Sequence, residues 1–458
     1  MLFKSISTNQ VPLQLRTRNL VVKSQPVVGF AASCWVTLLS IGILPESAWV
    51  NPVALASVGG GLLLSLSTWM RKSSAGWGIV LFGLAAISHT VLNTPFDPAS
   101  GTTRFSSVIL LLLGIGILRK YLVNQNISHV IEHVLGQPRL KESPFPLFLL
   151  YSSLTFLLSL AVVPIVGILT RNTQLDHREH VRIAMRSVGS TMFIAPTTVG
   201  AAAVALMFPD LNWSKAAVIG MPLATAMLVL TCLRSAGGGG EKQLPSSGPV
   251  DLRWLYRLIG LFLSILMGAK FAVGLTTVTA VALGVSLSGA LSTIHAQGLR
   301  VLIANAGETF NNSSAEILMF IACGTFFVAL NSPEGSLFLQ GAVKDASGIL
   351  SITLIQGLVI VSAFPLLSIC GVHPMVLFTA FFPIFHSLST VENVIQYHWW
   401  IAMFVIAQLI SPVSISAIAA ASSIGLSPPK VSLRLHAGFA LLLAICCVVY
   451  LSWIAYLL

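Results

Sequence analysis

Apolar runs long enough to cross a bilayer recur along the whole chain, separated by short polar or basic stretches. A helix needs about 20 apolar residues to traverse the hydrocarbon core. In the first half such runs cover 27–44, 53–70, 75–93, 105–118, 145–170, 181–207 and 214–233. In the second half they cover 254–274, 275–291, 315–330, 348–370, 375–386, 399–424 and 431–458. One stretch between the halves, 235–251, has the composition of a flexible linker, with Gly237 to Gly240 followed by Pro245, Ser246, Ser247, Gly248 and Pro249. The pattern predicts an all-α polytopic integral membrane protein of about 10–12 transmembrane helices in two halves, 27–234 and 252–458.

The basic residues orient these runs. Residues 1–26 carry Lys4, Arg16, Arg18 and Lys23 and read as a cytoplasmic tail. The run 27–44 is too long for a signal-peptide core and lacks a small-residue cleavage site, so it is a first span. Arg71 and Lys72 follow two spans later, and Arg119, Lys120, Arg139 and Lys141 two spans after that. The run 145–170 then lies between two basic loops, the second holding Arg171, Arg178, Arg182 and Arg186. Both loops stay inside only if 145–170 is a re-entrant hairpin, which is tolerated where protein or a water-filled cavity covers the backbone.

Two segments repeat. Ala195-Pro196-Thr197-Thr198 and Ser411-Pro412-Val413-Ser414 each interrupt a long apolar run and precede an alanine-rich stretch. From Pro164 to Pro196 to Lys215 the steps are 32 and 19; from Pro383 to Pro412 to Lys430 they are 29 and 18. Proline removes a backbone donor and breaks a helix. Paired Pro-interrupted spans at matching positions of two halves point to a transporter binding site. The expectation is therefore two Pro-broken helices, 181–207 and 399–424, and a second hairpin at 371–390. Lys430 and Arg434, with no Lys or Arg in 371–398, favour an inverted second half. Inversion needs an odd number of spans between Arg257 and Gly371, whereas hydropathy counts four.

Spans followed by a hairpin, a broken helix and a closing helix, occurring twice, resemble the ion transporter superfamily. That group includes TRAP large permeases, divalent anion symporters and arsenite-permease-like carriers. The resemblance implies solute and ion ligands at the hairpin tips and helix breaks. The matching positions are Ser152, Ser153 and Thr155 at the first tip, and Gly371 and His373 at the second. At the breaks they are Thr197, Thr198, Ser411 and Ser414. The Ser-Asn-Thr signature of the dicarboxylate carriers is absent from both breaks.

Composition agrees with this class: 458 residues, 55% hydrophobic and 9% charged, where a soluble domain carries about 25% charged residues. The net charge of +11 sits in loops, so it reports orientation and not nucleic-acid binding. The six cysteines lie in apolar stretches and read as packing residues. Ionisable residues at membrane depth are costly and mark function. Glu316, after Asn311, Asn312, Ser313 and Ser314, is either a coupling group or an acidic first-turn residue behind a cap. His386 is a second coupling candidate. His89 reads as packed, and Lys270 as a turn marker.

The leading reading is a secondary transporter of a small anionic solute, coupled to H⁺ or Na⁺, in a bacterial inner membrane, without cofactor or metal. Either a homodimer or a small accessory subunit is compatible with it. One rival is the membrane subunit of a TRAP-like complex. Another is a membrane metalloprotease, since His129, Glu132 and His133 fit H-x-x-E-H. No Walker A motif is present.

Overall fold

The computed structural model describes residues 13–40, 56, 58–63, 73–127, 130, 144–158, 162–163, 166, 177–234, 252–344, 347–350 and 352–458. The linker 235–251, the H-x-x-E-H triad and part of the first hairpin lie outside them. Among the described residues every regular element is helical. Seven helices are long and apolar enough to cross a membrane by length and composition, and five shorter apolar helices accompany them. The chain is a polytopic all-α membrane protein.

The helices sort into two bundles. The first, a scaffold, comprises Leu13–Ser40, Ser73–Val91, Pro98–Arg104, Ser106–Asn124, Arg253–Met267, Thr277–Gln297 and the 32-residue helix Leu299–Leu330. The second, a core, comprises Pro144–Leu158, His177–Met192, Val199–Ala205 and Trp213–Arg234 from the first half. From the second half it takes Thr353–Ile369, Pro374–Leu388, Asn393–Ile410, Ile415–Ile424 and Leu435–Leu457. Each half of the chain thus gives its early helices to the scaffold and its broken helix and closing helix to the core, with helix Pro144–Leu158 from the first half and the hairpin 353–388 from the second.

Packing inside a bilayer relies on close backbone approach, because lipid is as apolar as the side chains. The scaffold shows this directly. A Cβ on Gly101 would lie 2.3 Å from Thr325 Oγ1, and one on Gly114 would lie 2.2 Å from Ser286 Oγ. Buried hydroxyls stitch the same seams: Ser286 donates to the Leu110 carbonyl at 3.1 Å, and Ser107 meets Thr279 at 2.9 Å. His89 is 3% exposed, within 2.8 Å of Thr94 Oγ1 and 3.3 Å of the Thr325 carbonyl, so it is a packed residue.

Several boundaries differ from the expectations. The first helix starts at Leu13 and runs through Pro26, so the 1–26 tail is partly an extension of the first span. The broken helices begin at His177 and Asn393, upstream of 181 and 399. Lys270 sits in a π-helical turn, Gly268–Ala272, and the chain reverses just after it at Gly274 (φ 76°). Helix Leu299–Leu330 begins 16 residues before the expected span 315–330, so Glu316 is in mid-helix and not in a first turn.

The second hairpin changes most. Its turn is at 370–373, where Gly371 takes φ 96°, between arms Thr353–Ile369 and Pro374–Leu388. The hairpin is therefore 353–388, and the expected 371–390 is its second arm alone. The apolar run 348–370 contains the hairpin's first arm, which is among the shorter apolar helices. Three long helices then remain between Arg253 and the hairpin, Arg253–Ala272, Thr277–Gln297 and Leu299–Leu330, which is an odd number.

Candidate functional site

A cavity of about 760 Å³ lies between the two bundles. The scaffold wall is made by helices Ser106–Asn124 and Leu299–Leu330. The core wall is made by both helix breaks and the turn of the second hairpin.

The breaks are built alike. After Met192 the chain leaves the helix through Pro196 and restarts at Val199, with Thr198 as N-cap accepting from the Ala201 amide at 3.3 Å. After Ile410 it leaves through Pro412 and restarts at Ile415, with Ser414 as N-cap accepting from the Ala417 amide at 3.2 Å. The hydroxyls of Ser414 and Ser416 donate back to the Gln408 carbonyl at 2.9 and 3.3 Å, covering an acceptor that the break exposes. At the hairpin turn His373 is the N-cap of Pro374–Leu388, its Nδ1 accepting from the Met375 amide at 3.1 Å. A neutral imidazole accepting at Nδ1 carries its proton on Nε2.

The scaffold wall carries a polar stripe. Asn305, Glu308, Thr309, Asn312, Ser313 and Glu316 recur at helical spacing along Leu299–Leu330 and all line the cavity. Lys120 Nζ and Glu308 Oε2 form an ion pair at 2.6 Å near one end, where the Glu308 side chain is 65% exposed. Asn124 donates to Gln297 at 3.1 Å at the same end. Beyond Glu316 the stripe becomes apolar with Met319 and Phe320. There Phe320 packs on Phe105, with ring centroids 5.8 Å apart. Further along, Arg104 lies over the Phe327 ring at 5.2 Å and reaches Met207 Sδ at 3.8 Å, and Phe327 meets Phe382 at 6.1 Å. The last two contacts tie scaffold to core.

Of the residues singled out from sequence, Thr198, Ser414, His373 and Glu316 line this one cavity. Six others do not. Ser152, Ser153 and Thr155 lie within helix Pro144–Leu158 and not at a turn. Ser153 and Thr155 donate to the carbonyls of Leu149 and Tyr151, as helix hydroxyls do. Thr197 is buried behind the break. Ser411 donates to the Ser368 carbonyl at 2.7 Å and so pins the second break to the hairpin. His386 donates to Gln396 Oε1 at 2.8 Å and stacks on Phe382 at 5.0 Å, away from the cavity. Hydropathy does not mark the stripe at 305–313, Lys120 or Gln408. The signal that could have found the stripe is the spacing 305, 308, 312, 316, which repeats one face of a helix.

Among the described residues no group of three or more His, Cys, Asp or Glu could hold a metal ion. No family model and no curated protein matches the chain. Solved structures that resemble it include the following two. The YdaH transporter of Alcanivorax borkumensis, described as having an unusual topology, superposes with a TM-score of 0.55 at 13% identity, over 94% of this chain and 98% of that one. MtrF of Neisseria gonorrhoeae, described with a class of antimetabolite efflux pumps, superposes with a TM-score of 0.51 at 14% identity, over 81% and 84%. At this identity the likeness is one of fold, and the chain has the fold of these two membrane transporters.

Proposed function

We propose that the chain is a secondary transporter of the ion transporter superfamily type, moving a small solute with an anionic group by alternating access. The observation that carries this reading is the cavity itself. It lies between a scaffold and a core, where two broken helices and a hairpin turn converge on it, the arrangement transporters use for mid-membrane binding. The odd helix count supports inverted repeats, with the first hairpin entering from the cytoplasm and the second from outside. The basic loops support a cytoplasmic N-terminus and an inside location for the Lys120–Glu308 end of the cavity. The contacts among Arg104, Met207, Phe327 and Phe382 then close the outside, which makes this conformation the inward-facing state. The host is a bacterial inner membrane. The coupling ion is H⁺ or Na⁺, with Glu316 as the carboxylate best placed to sense it.

The test uses a cysteine-free background carrying Thr198→Cys or Ser414→Cys. Both are expected to react with an impermeant thiol reagent from the cytoplasmic side, and from the outer side once an ion gradient shifts the equilibrium. An added disulfide pair, Arg104→Cys with Met207→Cys, is expected to abolish outer reactivity and leave inner reactivity intact. Reactivity confined to one side under every gradient, with or without that pair, overturns alternating access.

A further inference from the structure

We infer that His373 is the proton-binding residue of this transporter, and that taking up a proton releases the turn of the second hairpin. The inference deepens the transport reading and rests on it. Its basis is that one imidazole both lines the cavity and closes that turn.

The second arm of the hairpin starts on His373 alone. Pro374 has no N–H to place. The next three amides all donate to His373: Met375 to Nδ1 at 3.1 Å, and Val376 and Leu377 to the carbonyl at 2.9 and 3.4 Å. The Met375 amide therefore depends on the side chain. Nδ1 accepts only while it carries no proton. His373, Pro374 and Met375 all line the cavity, so this bond is made at the cavity wall.

A proton on Nδ1 breaks the bond. An imidazolium has two donors and no acceptor, so the Met375 amide loses its partner and the ring leaves the cap. The turn is wired to the second helix break. The Gly371 amide donates to the Ser368 carbonyl at 3.2 Å, and the Ser411 hydroxyl donates to the same carbonyl at 2.7 Å. One carbonyl thus joins the turn to the break, where Ser414 also lines the cavity. Release of the turn therefore reaches both core elements that line the cavity in the second half.

The other titratable side chains of the cavity are Arg119, Lys120, Glu308 and Glu316. They stand on the uninterrupted helices Ser106–Asn124 and Leu299–Leu330, whose main-chain bonds do not depend on their charge. Lys120 and Glu308 are paired at 2.6 Å. Elements packed on Pro374–Leu388 add Arg300, Glu334, Tyr397 and His398, the last committed to the Ala216 carbonyl. The turn adds Cys370, and the helix itself adds His386, bonded to Gln396. Of these groups His373 alone holds a turn amide through its titrating atom. An imidazolium at a helix start meets the positive end of the dipole, so an anion in the cavity favours it. A singly charged anion and its proton then load together and add no net charge.

His373→Asn separates capping from titration, because asparagine is among the best capping side chains and carries no titrating group. The first readout is hydrogen exchange at the Met375 amide of the purified full-length protein, measured by mass spectrometry and corrected for the intrinsic effect of pH. From about pH 8 to about pH 4 its protection is expected to fall at least about fivefold, as one hydrogen bond is lost. In His373→Asn protection is expected to stay level, with the wild-type melting temperature. His373→Ala, which caps nothing, is expected to melt lower. The second readout is the thiol reactivity of Thr198→Cys in liposomes. An imposed pH gradient is expected to switch the side from which it reacts, and His373→Asn to abolish that switch. The proposal is overturned if wild-type protection stays level across the pH range, or if His373→Asn still switches under a pH gradient. It is equally overturned if only a Na⁺ gradient switches the wild-type side. Reactivity on one side under every gradient would instead overturn the transport reading, and the exchange measurement would still decide whether a proton opens the cap.

Discussion

The two helix breaks follow one pattern of sequence yet are held by different means. At the second break hydroxyls hold the gap: Ser411 reaches the Ser368 carbonyl of the hairpin, and Ser414 and Ser416 cover the Gln408 carbonyl. At the first break Thr198 caps the restart, but the Thr197 hydroxyl is buried with no partner among the described residues. Shape does the bracing there. Gly220 lets the helix Trp213–Arg234 lie so close that a Cβ would stand 1.8 Å from the Phe193 carbonyl oxygen. His398, from the other repeat, stacks on Phe193 at 6.4 Å and donates to the Ala216 carbonyl at 2.9 Å. The two repeats therefore share the break and differ in its support. A hydrogen-bonded gap is fixed by directional contacts, whereas a shape-braced gap depends on one missing side chain.

The comparison can be broken hardest at Gly220. Gly220→Ala puts a carbon against a backbone carbonyl that cannot move without moving the break, at a cost of more than about 3 kcal/mol. The expected outcome is loss of monodisperse protein in detergent or a steep fall in melting temperature. A wild-type melting curve would show that the helix is not wedged there. Ser411→Ala is next: it strips a buried hydrogen bond between break and hairpin, worth about 1–3 kcal/mol. It should lower the melting temperature while leaving the cavity lining intact, and an unchanged transition would separate the second break from the hairpin. Thr197→Val is the mildest. Its hydroxyl has no described partner to lose, so stability should stay within about 1 kcal/mol of wild type or rise. A clear loss of stability would mean the first break is hydrogen-bonded after all.

Much of this arrangement is legible in the residues alone. The breaks at Pro196 and Pro412 announce themselves because proline and a following hydroxyl cap mark a helix end and a new start. The hairpin turn at Gly371 and His373 is visible for the same reason, glycine tolerating the positive φ that the reversal needs. Hydropathy averages around a helix and cannot see its faces, and the differences follow from that. Asn305 to Ser314 lower the average enough to resemble a loop, although one face of that stretch lines a cavity and the others pack. The hairpin's first arm is as apolar as a span, so counting runs returns four where three long helices stand. Ser152, Ser153 and Thr155 fall in a uniformly apolar run, and nothing in such a run says where it turns.

Helix Leu299–Leu330 carries a consequence of its own. Its 32 residues make a rod about 48 Å long, with Glu308 beside one mouth of the cavity and Phe327 in the closure at the other end. Glu316 stands near the midpoint. If the core tilts against such a rod by about 10° around that point, the two ends separate and approach by about 4 Å in opposite senses. Widening one mouth narrows the other by the same lever arm. A single unbroken helix facing two interrupted ones would thus act as a balance beam, making a continuous leak a geometric contradiction without needing a separate lock at each end.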